Sequence, residues 1–132
     1  MFLLRRRDAP WEVVDTKEVQ PVPTFYDDED VNIVSLSENE TRGTYVFELH
    51  KLRGKDANSV DWRKALVFAR QRLLEEVQKR DYNCLLIEGW CITVLRRGKQ
   101  HRLQIEYNGR GALANGKLES RDPPFIELLG AA

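Results

Sequence analysis

The residues best suited to chemistry are few in this sequence, beginning with two histidines, His50 and His101. Each falls in a segment that is typical of a β-strand, with Glu48 or Glu106 nearby, so two imidazoles and a carboxylate could bind a metal ion. Neither histidine belongs to an H-x-H or H-E-x-x-H motif, the spacings that place two ligands side by side on one element. We therefore expect two solvated strand residues, no metal site and no cofactor.

Nucleophilic catalysis has no motif either. Cys84 and Cys91, the only cysteines, lie among Leu, Ile and Trp residues and have no fixed basic neighbour to activate a thiolate. Seven residues of extended chain would separate them by roughly 23 Å, too far for a disulfide, so we expect two reduced, buried thiols. The serines lack an elbow motif. The sequence predicts a protein that is not an enzyme.

A phosphate-loop spacing occurs at residues 111–117, which read G-x-x-x-x-G-K. Backbone amides and a lysine in such a loop bind phosphates at the N-terminus of a helix. Here Leu118 replaces the Ser or Thr that would bind Mg²⁺, and Pro123 and Pro124 follow too soon for a helix. We interpret the segment as a glycine-rich turn.

Charge is distributed unevenly along the chain, although its formal net charge is zero. Residues 8–30 contain eight acidic residues and one lysine, whereas residues 96–121 contain seven basic and two acidic residues. Five of the basic residues form a candidate patch around one predicted hairpin end: Arg96, Arg97, Lys99, Arg102 and Arg110. Such a patch could bind a polyanion or nucleic acid, which is our alternative function. Basic hairpin ends also keep sheets soluble, and the nearby Tyr107 is predicted to point inward rather than to stack on a base.

The size and composition of the chain are ordinary for one soluble domain. It has 132 residues, of which 42% are hydrophobic and 32% are charged. Its apolar runs fall short of the roughly 18 residues that a membrane span needs. Arginines 5–7 follow the apolar start instead of preceding an apolar region, unlike a secretory signal. We expect an intracellular protein, cytoplasmic by preference, with no membrane partner.

The prolines divide the sequence into an arm, a core and a tail. All five lie outside residues 24–122, at positions 10, 21, 23, 123 and 124. Since proline interrupts helices and central strands, regular structure is predicted inside that block. We assign residues 1–30 to an extended acidic arm that could carry an edge strand near residues 11–19, residues 31–122 to the core, and residues 123–132 to an apolar tail.

The first half of the core predicts two strands and a helix. Residues 31–36 and 44–50 are β-rich runs separated by turn-forming residues, which predicts a first hairpin. A helix follows from about residue 60, with Ser59 as its N-cap and Asn83 as a left-handed C-terminal cap. One apolar stripe of this helix is predicted to face the core: Trp62, Ala65, Leu66, Ala69, Leu73 and Val77.

The second half of the core predicts another hairpin. Residues 84–95 are almost continuously apolar, as in a central strand. Residues 101–107 alternate, which places Leu103, Ile105 and Tyr107 on an inward face. The β-β-α-β-β order predicts an α+β fold, a mostly antiparallel four- to five-stranded sheet with one long helix packed on one face.

More apolar surface is predicted than one sheet layer covers. The helix and the terminal segments supply a candidate interaction surface: Val67, Phe68, Leu74, Trp11, Phe125 and Leu128. The leading hypothesis is a non-enzymatic protein-interaction or self-association module, with a homodimer favoured as the partner arrangement. A small enzyme or ligand binder that uses His50, His101 or Tyr107 in a pocket between helix and sheet is the third hypothesis.

Overall fold

The computed structural model describes residues 10–25, 31–49, 56–116, 118 and 120–129, with the side chains of the helix from residue 62 onward. His50, Lys117 and the acidic stretch 26–30 lie outside the described residues. The helix begins at Asp56, before the predicted start near residue 60, so Ser59 lies within the helix and is not its N-cap. No helix in this part of the chain is long and apolar enough to cross a membrane.

Five strands form one antiparallel sheet with a helix packed on it, so the predicted α+β class is confirmed. The strands are β1 (Glu12–Pro23), β2 (Asn32–Leu36), β3 (Thr41–Glu48), β4 (Cys84–Arg97) and β5 (Gln100–Asn115), and the helix α1 (Asp56–Gln78) connects β3 to β4. β4 and β5 are central, because β1 pairs with β4 while β2 and β3 both pair with β5. β3 and β4 are both antiparallel to the β5 strand between them, so β3-α1-β4 is a split β-α-β unit.

The apolar stripe of α1 forms the core, as predicted. Leu66, Ala69 and Leu73 are fully buried, and the inward residues of β4 and β5 pack beneath them. The alternation of β5 is also confirmed: Leu103, Ile105 and Tyr107 are fully buried. We call this side the helix-covered face and the opposite side, which no described helix covers, the open face.

The C-terminal end of α1 differs from the prediction. Asp81, not Asn83, adopts the left-handed conformation, with φ of 70°. The Tyr82 N–H donates to the Val77 carbonyl at 3.1 Å, as in a Schellman motif. Asn83 instead bonds the backbone N–H and C=O of Ala114 on β5, both at 2.8 Å, through its side chain. The helix is thus capped by Asp81, and Asn83 fixes the start of β4 to β5.

The predicted first hairpin is wrong. β2 and β3 do not pair with each other but follow one another along the same side of β5. Residues 37–40 between them lie opposite only Arg110 and Gly111, so they bulge outward without reversing the chain. Ser37 keeps this bulge on the sheet, because its N–H donates to the Gly111 carbonyl at 2.9 Å and its carbonyl accepts from Arg110 Nε at 2.7 Å.

The glycine-rich segment after residue 108 is strand rather than turn. Residues 111–115 belong to β5 and pair with β2 and β4. Gly109 is needed there because a Cβ atom would lie 2.9 Å from the Leu85 side chain. The backbone amides of residues 111–115, the first five positions of the phosphate-loop spacing, therefore lie in a sheet ladder.

Both ends of the described chain pack beside β4. The predicted edge strand is confirmed as β1, which extends to Pro23. In the tail, the 3-10 helix Ile126–Leu129 buries Ile126 and Leu129 against α1. Trp90 Nε1 donates to the Pro124 carbonyl at 2.8 Å. The tail thus packs on its own domain.

Candidate interaction site

A buried ionic cluster connects α1 to the middle of the sheet. Glu88 is fully buried and accepts from Arg70 Nε at 2.7 Å, from Arg70 Nη2 at 3.3 Å and from the Tyr107 hydroxyl at 2.6 Å. Burial, together with the Glu88 carboxylate, raises the pKa of Tyr107 far above its ordinary value. Burial lowers the pKa of Arg70, but the bond to Glu88 outweighs this effect and the pKa is raised. The three groups are engaged with one another, so the cluster holds the fold together rather than offering an acid or base.

Sequence reasoning missed this cluster. Arg70 lies between Leu66 and Leu73 on the core side of α1, and Glu88 interrupts the apolar run of β4. Charged residues are rarely fully buried unless they are paired. One charge of each sign at core-facing positions is the signal that would have predicted the pair.

The residues of the predicted interaction surface do not form one patch. Val67 and Phe68 line a groove of about 590 Å³ on the outer side of α1, beside Ile126 of the tail. Leu74 packs partly against the core, and Trp11, just before β1, is stacked against arginines of the β4–β5 hairpin. Phe125 and Leu128 are exposed on the tail.

Acidic and aromatic neighbours occupy much of the predicted basic patch. Arg96 forms an ion pair with Glu12 at 3.1 Å, and Arg102 forms one with Glu48. Arg97 and Arg102 both stack on Trp11, with guanidinium-to-ring distances of 4.6 and 4.2 Å. The two ion pairs offset part of the positive charge at the hairpin end, and the stacking on Trp11 covers one face of each of the two guanidinium groups.

Arg110 does not lie at the hairpin end. It is eight positions further along β5 than Arg102 and bonds the bulge between β2 and β3. Lys99 is exposed in the tight turn at Gly98, whose φ of 61° suits a type II′ turn. The patch around the turn therefore consists of Arg96, Arg97, Lys99 and Arg102.

Of the three residues of the third hypothesis, His50 lies outside the described residues, and the other two are far apart. Six residues of extended strand separate His101 from Tyr107, which is about 20 Å, and the Tyr107 hydroxyl is bonded to Glu88. Cys84 and Cys91 are free, and burial raises the pKa of both thiols, which disfavours the reactive thiolate. Within the described ranges, no three His, Cys, Asp or Glu side chains are grouped as metal ligands.

The β1 edge of the sheet carries several features that prevent strand pairing. Pro21 and Pro23 remove two backbone donors, and the register shifts between Val13 and Asp15 and again between Val19 and Val22. Lys17 points to the helix-covered face, where its Nζ lies 5.6 Å from the centroid of the Trp62 ring. Prolines, bulges and an inward charge are the means by which natural sheets protect an edge.

The β3 edge has none of these features. Its register with β5 is continuous over all eight residues, and the strand contains no proline and no lysine. The Leu49 N–H donates to the His101 carbonyl at 3.0 Å, so odd-numbered residues direct their backbone groups to β5. Even-numbered residues direct theirs outward, where no described strand accepts them: Arg42, Thr44, Val46 and Glu48. This row is the candidate interaction site.

Comparison with known proteins adds no relative: no family model, curated protein or solved structure matches the chain.

Proposed function

We propose that this protein is a self-associating module in which two copies join edge to edge along β3. The observation that carries the proposal is the row of outward backbone groups on a continuous, unprotected β3. A second copy presents the same row, so each outward N–H meets a C=O across a two-fold axis. The product is a continuous antiparallel sheet with both helices on the same face.

Exposed apolar side chains on the β3 side support this arrangement. Val46 is 52% exposed on the open face, and Phe68 is 51% exposed on α1, where its ring packs edge-on against Phe47 with centroids 5.7 Å apart. α1 packs mainly over β5 and β3, so two copies would place their helices side by side above the joined edges. Phe68 would be buried between the two helices, and Val46 would gain a cross-strand neighbour on the open face, and both would stabilise the dimer.

The alternative, binding of a polyanion by the hairpin end, has weaker support. Arg96 and Arg102 already have carboxylate partners, and Arg110 is remote from the turn. Pairing with Glu12 and Glu48 offsets two of the four positive charges around the turn, which weakens the counterion release that drives binding to nucleic acid.

The mass of the protein in solution tests the proposal. Light scattering on a size-exclusion column, at low and high salt, should give a dimer at both, because backbone pairing is little affected by screening. Val46→Pro removes one outward N–H without touching the bonds to β5 and should give a monomer. Val46→Thr keeps that N–H and should remain a dimer. A monomeric wild-type protein from micromolar to millimolar concentration would refute the proposal.

A further inference from the structure

We infer the register of this pairing: Tyr45 lies on the two-fold axis, and Arg42 of each copy faces Glu48 of the other. The inference rests on the self-association proposed above and names its geometry. It follows from backbone parity, from charge and from what already surrounds Glu48.

Backbone parity limits the registers. Two antiparallel strands exchange hydrogen bonds only between residues whose N–H and C=O both face the neighbour. On β3 these are the even-numbered residues, so an even residue must oppose an even residue. Three registers keep most of β3 paired, and they place Thr44, Tyr45 or Val46 opposite itself.

Charge distinguishes these three registers. With Tyr45 opposite itself, Arg42 faces Glu48 of the other copy twice in each dimer, in addition to its exposed ion pair with Glu40 of its own copy, and Thr44 faces Val46. With Thr44 opposite itself, Arg42 faces Val46 and Glu48 lies beyond the start of β3 in the other copy, next to Glu40 of the bulge, so the ion pairs are lost. With Val46 opposite itself, Glu48 faces Thr44 and the ion pairs are lost. Opposite charges directly across a strand pair stabilise it and like charges destabilise it, so the register centred on Tyr45 is favoured.

The surroundings of Glu48 and Tyr45 fit this register. Glu48 pairs with Arg102 on β5, so Arg42 of the second copy would complete a row of alternating charge across three strands on the open face. Tyr45 lies on the helix-covered face with its ring over Gly43, where a Cβ atom would lie 2.6 Å from Tyr45 Cζ. In this register Gly43 faces Phe47 of the second copy, which brings that ring next to the Tyr45 ring that covers Gly43.

Cysteine crosslinking reads the register directly. Three single variants, Thr44→Cys, Tyr45→Cys and Val46→Cys, are treated with diamide and analysed on a non-reducing gel, with wild type as the control for Cys84 and Cys91. In a single-cysteine variant, the two cysteines come within disulfide range only where the residue faces the same residue of the second copy. Directly opposed Cα atoms are about 4.5 Å apart in a non-hydrogen-bonded pair, such as Tyr45 with Tyr45, and about 5.5 Å apart in a hydrogen-bonded pair. Tyr45→Cys should crosslink to a dimer most rapidly, and more rapidly than wild type.

A charge exchange provides a second test that leaves Tyr45 intact. Arg42→Glu and Glu48→Arg should each weaken the homodimer by roughly tenfold or more, because each places two like-charge pairs in the interface. An equimolar mixture of the two variants restores both opposite-charge pairs and should form a heterodimer of near wild-type affinity. Differential tagging and light scattering measure this recovery.

The outcomes separate the register from the proposed function. Crosslinking at Tyr45→Cys with recovery in the mixture supports the inference. Crosslinking at Thr44→Cys or Val46→Cys instead, or a mixture that stays as weak as its components, overturns the register while wild type remains a dimer. A wild type that is monomeric at all concentrations overturns both.

Discussion

The β1 and β3 edges of the sheet differ in their packing, in their prolines and in the regularity of their strand register. On the β1 side, Glu88 opposite Val22 is buried under Arg70, and the tail crosses to Trp90. The strand itself is kinked and contains two prolines. On the β3 side, the strand is straight in register and its outward backbone groups have no described partner. The β1 edge therefore carries features that hinder pairing with another strand, and the described part of the β3 edge lacks them, which is the basis of the dimer proposed above.

The largest expected effect comes from breaking the buried cluster that joins α1 to the two central strands, where Glu88 lies opposite Val22 of β1. Arg70→Ala leaves the Glu88 carboxylate buried without its cation, which should lower the free energy of unfolding by about 3–5 kcal/mol. Arg72→Ala, in which the lost ion pair with Glu75 is exposed, should change it by less than about 0.5 kcal/mol. Urea denaturation of both variants measures the difference. Similar small losses of unfolding free energy in both variants would show that the buried cluster contributes little to the stability of the fold.

Removing the protection of β1 should produce a second pairing edge. Pro21→Val with Pro23→Val restores two backbone donors on β1, so each copy could then pair at both sides. Species larger than a dimer should appear at concentrations roughly tenfold or more below those needed by wild type. Analytical ultracentrifugation detects them, and Pro10→Ala, outside β1, is the control. If the double variant stays a dimer, the bulges alone protect this edge.

Alkaline pH should weaken the buried cluster more than the β3 edge. Since the pKa of Tyr107 is raised, its unfolded phenol ionises near pH 10 while the folded one keeps its proton. Stability from this group is therefore fully present below about pH 10 and falls above it, by up to about 1.4 kcal/mol per pH unit.

Tyr107→Phe separates this residue from other groups with raised pKa, such as the Cys84 thiol. The variant loses a hydrogen bond and should be less stable than wild type by about 1 kcal/mol near pH 8. The gap between the two proteins should close above pH 10, as measured by denaturation at several pH values. A constant gap would mean that Tyr107 ionises in the folded protein.

The features of the fold that depend on local sequence periodicity could be predicted from the sequence. The stripe of α1 and the alternation of Leu103, Ile105 and Tyr107 follow from helix and strand periodicity alone. The prediction of a hairpin between β2 and β3 was wrong because turn-forming residues also occur in bulges. Whether residues 37–40 form a turn or a bulge depends on pairing with β5, about seventy residues later in the chain.

The candidate site was not predicted for a similar reason. Nothing in the local sequence around Arg42 or Val46 states that β3 lies at an edge. Which strand is last in a sheet depends on the pairing of all the others, and that pairing is non-local. By contrast, the exposure of Val67 and Phe68 could be predicted, because helix periodicity places both residues away from the buried stripe of α1.

The smallest expected effect concerns how the end of β1 is fixed. Thr24 Oγ1 lies within hydrogen-bond distance of the carbonyls of Leu85 and Leu86, at 2.7 and 2.9 Å. Thr24→Val keeps the shape of the side chain and loses the hydroxyl donor, so the free energy of unfolding should fall by about 1 kcal/mol. Thr16→Val on the exposed part of β1 is the matched control and should be close to neutral.

Hydrogen exchange of the Thr24 N–H, which donates to the Leu86 carbonyl at 2.9 Å, should quicken in Thr24→Val and stay unchanged in Thr16→Val. The dimer dissociation constant should be the same in both variants, because β1 and β3 are separated by β4 and β5. A weaker dimer in Thr24→Val would contradict the independence of the two edges and would mean that loosening one side of the sheet is transmitted to the other.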